Sequence, residues 1–234
     1  MKKMGFAAAI VAGVAGLASA DVYNDNVGNH LAGGDLHDFF ASQGFNHLDI
    51  ISVTVTNDAQ FLYFDLHLNA DLDATNWGTY AVGISTGDAG GSNSNAWGRN
   101  IDWQRDINYW IGTWANDGGS GIGGQLWQHA GSWNQIAGLA SSDASQHGTG
   151  HQIFAVDFTL MGLAVGDTIE LDVISSGGVG NPPGVDHLSS ANFTTDDWGR
   201  TSFSGTFVSY TLVPAPGAAA LLGLGGLIVG RRRR

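Results

Sequence analysis

Hydrophobic and polar residues alternate most regularly between Leu48 and Leu68. Apolar side chains occupy every second position on both sides of a polar centre, Asn57-Asp58-Ala59. Because successive side chains of a strand point to opposite faces, each half predicts a strand with one buried face. Asn and Asp tolerate turn geometry and bond their own backbone, which favours a short connection. The stretch therefore predicts a β-hairpin, around which the rest of the chain is organised.

Further strands are predicted downstream of the hairpin, between stretches rich in Gly, Asn and Ser. With the hairpin they make about eight strands, and many short strands divided by frequent turns are typical of two packed sheets. The pattern therefore predicts an all-β fold, an antiparallel β-sandwich of the jelly-roll kind. Gly166-Asp167 is interpreted as the turn of a second hairpin, which joins the strands on either side of it. The predicted strands cover residues 79–85, 106–114, 125–130, 151–160, 168–175 and 206–212.

Apolar residues keep a common parity within the best of these strands, which predicts that they enter one core. About 190 residues lie between the two unusual ends of the chain, enough to bury such a core without metals or disulfides. The chain has no cysteine, which excludes disulfides and thiol redox chemistry. Residues 21–47 are interpreted as a loop or an edge strand. The predicted core residues are Leu62, Phe64, Leu66, Phe154, Val156, Phe158, Ile169, Leu171 and Val173.

Both ends of the chain differ in composition from its middle. Residues 1–20 begin with two lysines, continue through an apolar stretch and end in Ala18-Ser19-Ala20, which is the order of a secretory signal peptide. A membrane-spanning helix is the alternative, but the apolar stretch is short for one. We therefore expect an exported protein with three parts: a signal peptide (1–20), a β-sandwich domain (21–212) and a distinct C-terminal segment (213–234).

The C-terminal segment combines a Pro-Ala-Pro motif, a short apolar stretch from Ala218 to Val229 and four terminal arginines. This order resembles a PEP-CTERM sorting signal, although the central glutamate of that family's motif is missing. The resemblance implies transient anchoring in the inner membrane, removal by an exosortase-type processing enzyme, and release to the cell surface or the extracellular space. The arginines favour retention of the end on the cytoplasmic side. The sorting motif comprises Pro214, Pro216, Arg231, Arg232, Arg233 and Arg234.

The body of the chain is strongly acidic. All 21 acidic residues lie between Asp21 and Asp197. Residues 21–212 carry a formal charge of −18, because their only basic residues are Arg99, Arg105 and Arg200. Nucleic acid is not expected as a partner, because phosphate binding requires a basic surface. The acidity instead favours calcium binding, a saline habitat or solubility as such.

Seven of the eight tryptophans fall between Trp77 and Trp133. An indole offers a flat apolar face and one N–H donor, so it suits stacking on a sugar ring as well as filling a core. Trp97 and Trp103 are expected to be exposed, because their neighbours in sequence are polar or charged. The alternatives are that most of these tryptophans pack internally and that the arginines form local ion pairs. The candidate ligand-binding residues are Trp97, Arg99, Trp103, Arg105, Trp110 and Trp114.

The hairpin and its flanks resemble the opening of DOMON-like domains and family-nine carbohydrate-binding modules. The likeness rests on the Gly34-Asp35 lead, the strand that begins Leu48-Asp49-Ile50, the Asn/Asp turn followed by Leu62-Tyr63-Phe64, and the later strand from Tyr80 to Ile84. It covers residues 30 to 85, and the remainder of the chain only in the number of strands. The resemblance implies an antiparallel β-sandwich that binds sugars, or haem in some branches.

Oxygen-bearing side chains recur between Asp71 and Asn76, as they do in calcium-binding loops. Asp71, Asp73 and Asn76 are the candidate ligands, although the distal glutamate of an EF-hand is missing. The Asp/Asn-rich residues 21–26 are a second candidate. The alternative for both stretches is a turn in which Asp or Asn side chains bond their own backbone. The histidines show no zinc spacing, so Ca²⁺ is the one cofactor that the sequence suggests.

The sequence offers no convincing catalytic constellation. Glycoside hydrolysis requires two carboxylates across a cleft, and Glu170 is the only glutamate. No nucleophile motif is visible. The leading hypothesis is therefore a non-enzymatic exported β-sandwich that binds polysaccharide or another exopolymer weakly. A structural protein of the extracellular matrix without a defined ligand is the first alternative, and a carbohydrate-active enzyme is the second.

Overall fold

The alternating pattern becomes a β-rich fold in the computed structural model of the protein, which describes residues 20–25, 36–116, 119–178, 180–190 and 194–214. Besides strands it contains one short helix, α1 (Asp38–Ala41), and three 3-10 turns (Asn46–Leu48, His147–Thr149 and Phe158–Met161). In chain order the strands are β1 (Asp21–Asn24), β2 (Ile50–Asn57), β3 (Phe61–Leu68), β4 (Thr79–Ser85), β5 (Ile101–Asp102), β6 (Tyr109–Trp114), β7 (Gly123–His129), β8 (Trp133–Gly138), β9 (Ser141–Asp143), β10 (His151–Asp157), β11 (Thr168–Ser176), β12 (Gly184–His187), β13 (Ser202–Phe203) and β14 (Val208–Thr211).

Two antiparallel sheets contain nearly all of these strands. The first sheet has the order β1-β2-β3-β10-β9, and the second has the order β12-β11-β4-β6-β7-β8, with β14 also paired to β11. Residues from both sheets meet in one hydrophobic core, which makes the domain a β-sandwich. A separate pair, β5 and β13, is parallel. The predicted all-β class and its antiparallel sheets are confirmed.

The central core contains every residue that alternation predicts for it, each with at most 1 % of its surface exposed. The rings of Phe64 on β3 and Phe154 on β10 stack with centroids 5.2 Å apart. Tyr80, Val82 and Ile84 of β4 face the same core from the second sheet. The predicted inward-facing positions are therefore confirmed.

The predicted first hairpin is formed by β2 and β3. The Asp58 side chain accepts hydrogen bonds from the backbone N–H groups of Gln60 and Phe61 at 2.8 and 2.7 Å. It also accepts one from the Tyr63 hydroxyl at 2.7 Å. A single carboxylate thus satisfies donors that the turn would otherwise leave free, which explains the short connection.

The second predicted hairpin, with its turn at Gly166-Asp167, is wrong. β10 pairs with β3 in the first sheet, whereas β11 pairs with β4 in the second sheet. Between them the chain passes Gly162 and Gly166, whose φ angles of 71° and 102° suit glycine. The connection therefore crosses the sandwich. Alternation cannot distinguish the two connections, because both of them present one apolar face to the same core.

Several short strands have no alternating pattern and are not predicted. Residues of β8, at the edge of the second sheet, are mostly exposed, and residues of β12 are all buried, so neither strand shows a period of two. β1 is an edge strand, one of the two alternatives for residues 21–47.

Both predicted address segments fall almost entirely outside the described residues. Residues 1–19 of the signal peptide and residues 215–234 of the sorting segment are not described, so their predicted roles stay predictions. Within the described part of the chain, no helix is both long and apolar enough to cross a membrane.

The outer face of the second sheet is covered by a second apolar layer rather than by solvent. The indole of Trp103 lies over Gly83, where an added Cβ would come within 2.9 Å of the ring. The indole of Trp97 occupies the same kind of space over Gly112, at 2.2 Å from an added Cβ. Two strand glycines therefore provide room for the covering side chains. The buried members of this layer are Ala81, Ile101, Trp103, Ile107, Trp110, Ile174 and Phe207.

Candidate functional site

A cavity of about 390 Å³ opens at one end of the second sheet. The pairing of β4 with β11 places Thr79 opposite Ser176 at this end. The segment that enters β4 and the segment that leaves β11 are therefore neighbours, and the chain before β12 returns to the same place. The cavity is lined by Trp77, Gly177, Gly178, Asn181, Pro182 and Trp198.

Two indoles form the aromatic walls of this cavity, which we call the Trp77–Trp198 cavity. Their ring centroids lie 6.3 Å apart and their planes are inclined at 57°. Trp198 packs edge-on against buried Phe40 at 4.9 Å, and Trp77 packs edge-on against Phe45 at 5.1 Å. Trp77 is 37 % exposed. Neighbouring rings thus fix the orientation of both indoles while Trp77 remains open to solvent.

The backbone of Gly177 and Gly178 forms part of the wall. A Cβ on Gly177 would lie 3.1 Å from the Trp198 ring, and one on Gly178 would lie 3.1 Å from the Trp77 carbonyl oxygen. Peptide groups and the Asn181 amide therefore line the space beside the indoles. Aromatic surface combined with a few polar groups is typical of small-molecule sites.

His47 lies behind Trp77, fully buried, with the two ring centroids 4.3 Å apart. Within the described residues, neither ring nitrogen of His47 has a hydrogen-bond partner. Burial lowers the pKa of His47 to about 4, because the imidazolium would lose its hydration there. His47 is therefore neutral at pH 7.

Arg99 lies next to the Gly178 part of the wall and is only 8 % exposed. Its Nη2 donates long hydrogen bonds to Thr79 Oγ1 at 3.3 Å and to the Gly178 carbonyl oxygen at 3.4 Å. The guanidinium carbon lies 5.4 Å from the Trp97 ring centroid. Burial lowers the pKa of Arg99 to about 10, so the side chain still carries its charge at pH 7.

Arg99 has no counter-ion among the residues that the structure describes. Its Nε and Nη1 are buried and meet no hydrogen-bond acceptor there. The loop that carries it is nevertheless well fixed, because Asn95 exchanges side-chain hydrogen bonds of 2.8 and 2.9 Å with the Arg99 backbone. A rigidly placed cation that meets no anion in the described part of the chain is the least expected feature of this region.

The predicted ligand-binding tryptophans contribute little surface. The expected exposure of Trp103 is wrong, because both Trp103 and Trp110 are fully buried. Trp97 is partly buried against Trp110 and Trp114, at centroid distances of 5.7 and 6.3 Å. Polar neighbours in sequence do not reveal this burial, since the space is provided by glycines on other strands. Sugar stacking by Trp103 and Trp110 is excluded in this conformation.

Arg105 forms an ion pair, but its partner Glu170 is distant in sequence, so the pair is not the local one given as the alternative. Its Nη2 donates to Glu170 Oε2 at 2.5 Å, and its guanidinium carbon lies 4.9 Å from the Phe207 ring centroid. Both partners of the ion pair are partly exposed, so its contribution to stability is small. None of these residues lines the Trp77–Trp198 cavity.

The candidate calcium loop contains a turn of the alternative kind. Asp71 Oδ1 accepts hydrogen bonds from the backbone N–H groups of Asp73 and Ala74 at 2.8 and 3.2 Å. Asn76 is exposed. In the described ranges no group of three or more acidic, His or Cys side chains could hold a metal ion. Calcium binding at Asp71, Asp73 and Asn76 stays a prediction, which melting temperatures with Ca²⁺ and with a chelator can test.

A buried Ser–His–Asp cluster lies outside the cavity and is not predicted from the sequence. His187 Nδ1 lies 2.8 Å from Asp172 Oδ2, and His187 Nε2 lies 3.0 Å from Ser202 Oγ. Ser204 donates to the same carboxylate oxygen at 2.8 Å. Asp172, His187 and Ser202 have no exposed surface, so no substrate reaches the serine in this conformation. The cluster instead joins β12 and β13 to the outer face of β11.

Sequence reasoning did not select Trp77 and Trp198, which form the cavity. Trp198 is the single tryptophan outside the dense segment, and the fold alone brings it to Trp77. The useful signal is the turn-rich stretch Gly177 to Pro183, which follows a regular strand directly. Of the predicted ligand-binding residues, Arg99 lies nearest to the cavity, through its contact with Gly178.

We compared the chain with protein-family models, with curated proteins and with solved structures, and no match was found. The resemblances to DOMON-like domains, to family-nine carbohydrate-binding modules and to PEP-CTERM sorting signals therefore stay predictions. Function is therefore inferred from the geometry of the cavity and its neighbours.

Proposed function

We propose that this protein is an exported, non-enzymatic β-sandwich that binds polysaccharide weakly through the Trp77–Trp198 cavity. The observation that carries the proposal is the pair of inclined indoles beside open peptide groups. The C–H face of a pyranose ring stacks on an indole, and its hydroxyl groups bond to amides and carbonyls. A cavity of about 390 Å³ matches one or two sugar units, which is consistent with weak binding.

A binding role fits the lining better than hydrolysis does. Glycoside cleavage requires a pair of carboxylates beside the scissile bond. The described lining residues include two tryptophans, an asparagine, a proline and two glycines, and no carboxylate.

Titration with soluble oligosaccharides and retention on insoluble polysaccharides test the binding proposal. We expect Trp77→Ala and Trp198→Ala each to weaken binding by roughly tenfold or more, because each removes a stacking wall. Trp133→Ala is the matched control, since its indole donates to Ser94 Oγ at 3.0 Å outside the cavity lining. Absence of binding to any polysaccharide would instead favour a matrix protein without a defined ligand.

We also propose that the two ends direct export, with an exosortase-type enzyme removing the tail after a transient stay in the inner membrane. The apolar stretch from Ala218 to Val229 is short for a permanent anchor, and the terminal arginines disfavour translocation of the end. Mass spectrometry of the extracellular protein should give a start near Asp21 and an end near Val213. Secreted protein that retains Arg231 to Arg234 would contradict the proposal.

A further inference from the structure

We propose that the Trp77–Trp198 cavity takes an acidic saccharide, whose carboxylate or sulfate group binds the guanidinium of Arg99. This inference rests on the proposed function and adds the chemical class of the ligand. Its starting observation is that Arg99 is buried beside the aromatic cavity with no anion next to it among the described residues.

The charge distribution makes the isolation of Arg99 unusual. The body of the chain has 21 acidic residues and three arginines. Arg105 pairs with Glu170, and Arg200 pairs with Asp196 at 3.2 Å. Arg99 is the most buried of the three and forms no ion pair among the described residues. A buried unpaired charge is unfavourable for stability. We therefore infer that the partner of Arg99 is a bound anion, which the free protein lacks.

The surroundings of Arg99 suit an incoming oxyanion. Its hydrogen bonds to Thr79 and Gly178 are long, at 3.3 and 3.4 Å. A charged oxygen would therefore compete well with these two acceptors for the guanidinium N–H groups. The Trp97 ring packs on the guanidinium and fixes it. Gly178 belongs both to the cavity wall and to this contact, so a shift of its carbonyl would expose the guanidinium to the cavity.

Different groups of the protein would then bind the charged substituent and the sugar ring. The indoles of Trp77 and Trp198 provide the stacking surface, and Arg99 provides a planar, fork-shaped donor that matches two oxygens of one anion. His47, behind Trp77, is neutral at pH 7, and Arg200, two residues after Trp198, is paired with Asp196, so neither offers the unpaired charge that Arg99 does.

The negative body would repel an acidic polymer at low ionic strength, which gives the proposal a distinctive salt dependence. Repulsion between exposed charges is screened beyond roughly 8 Å in about 0.15 M salt, whereas a buried contact is screened much less. We therefore expect the affinity for an acidic oligosaccharide to be maintained or to rise from about 10 mM to about 150 mM NaCl. A steep fall over this range, as an exposed ion pair gives, would contradict a buried contact.

The decisive experiment measures binding of the purified protein to three matched trisaccharides. One is built from neutral galactose units, one from galacturonic acid units and one from sulfated galactose units. We expect at least one acidic form to bind roughly tenfold more tightly than the neutral form. Arg99→Met should abolish this preference and leave the neutral trisaccharide unaffected. Arg105→Met, which removes an equal charge outside the described cavity lining, is the control and should retain the preference. The affinities for the two acidic trisaccharides show whether the site prefers a carboxylate or a sulfate group.

A purely structural role for Arg99 predicts a different result. If the charge is held for a ligand, its removal leaves the melting temperature of the free protein unchanged or raises it. A large fall, or failure of Arg99→Met to fold, would mean that Arg99 supports the Gly178 turn and would overturn the inference. Arg99→Lys, which keeps the charge but loses the fork, should retain only part of the preference.

Failure of the inference and failure of the proposed function give separate results. Equal affinity for neutral and acidic trisaccharides, together with loss of both in Trp77→Ala, would overturn the role of Arg99 and leave polysaccharide binding intact. Absence of binding to all three trisaccharides and to the insoluble polysaccharides would overturn both proposals.

Discussion

At the scale of single residues, two titratable side chains are buried with unpartnered nitrogens at the cavity end of the described sandwich. They are His47 and Arg99, and the covering layer has two further unpartnered donors, the indole nitrogens of Trp103 and Trp110. Such groups reduce the stability of the free protein. Under the proposed function, the placement of His47 and Arg99 beside one aromatic cavity exchanges stability for binding.

We predict that stability falls between pH 7 and pH 5 because of His47. Burial lowers its pKa from 6.5 to about 4 in the folded protein, so the unfolded chain binds the proton more readily. The stabilising effect of the neutral ring is complete above pH 6.5 and is lost as the pH falls towards 4. The expected loss is about 2 kcal/mol between pH 7 and pH 5, measured by urea unfolding.

The variant His47→Phe is the comparison for this prediction, since it keeps a ring of similar size against Trp77. Its free energy of unfolding should change much less over the same pH range. An unchanged pH dependence would mean that other groups are responsible. One such group is His67, whose pKa is lowered by burial and by the nearby His151.

Phe64 tests the central core directly. Its side chain is 1 % exposed and stacks on Phe154, so Phe64→Ala should lower the free energy of unfolding by about 3–5 kcal/mol. Thr54→Ala, on the outer face of the neighbouring strand, should change it by less than about 0.5 kcal/mol. Thermal or urea unfolding measures both, and similar losses in the two variants would contradict the register of the hairpin.

At the scale of elements, the second sheet is the centre of three layers, with the first sheet on one side and the tryptophan-rich covering layer on the other. We predict that Gly112→Ala destabilises the protein by about 1–3 kcal/mol, because the new methyl group meets the Trp97 ring. The tryptophan emission should shift towards longer wavelength as Trp97 is displaced. Urea unfolding followed by fluorescence measures both effects.

Gly138→Ala is the matched control for this change. Its nearest neighbour to an added Cβ, the Gly124 carbonyl oxygen, lies at 3.7 Å, an ordinary contact. Alanine at such a position restricts the unfolded chain, so we expect Gly138→Ala to raise the free energy of unfolding by about 0.4–1 kcal/mol. Equal effects in the two variants would argue against the packing of Trp97 on the sheet.

Several strands could be predicted from the sequence, and β4 was predicted with its observed ends, Thr79 and Ser85. The crossing between β10 and β11 could not, because alternation identifies the buried face but not the partner strand. The covering layer could not be predicted either, because it depends on contacts between residues that are distant in sequence, such as Trp103 and Gly83. The cavity was missed for the same reason: its walls come from separate parts of the chain, and only Arg99 beside it had been selected.

At the scale of the whole molecule, the formal charge of −18 over residues 21–212 acts against the compact state. We predict that the melting temperature rises by several degrees as NaCl increases from about 10 mM to about 0.5 M, because salt screens this repulsion. NaCl is the suitable salt, since sulfate also strengthens the burial of apolar groups. A melting temperature that does not respond to NaCl would mean that the carboxylates are too dispersed to repel one another.

The distance along the chain between the two walls of the cavity has a consequence for the timing of ligand binding. A growing chain folds from its N-terminus, and Trp77 emerges long before Trp198. Any fragment that ends before Trp198 lacks half of the stacking surface and the aromatic contact with Phe40. The ligand would therefore discriminate between finished and unfinished molecules, and a column that carries it would retain complete chains and pass truncated ones.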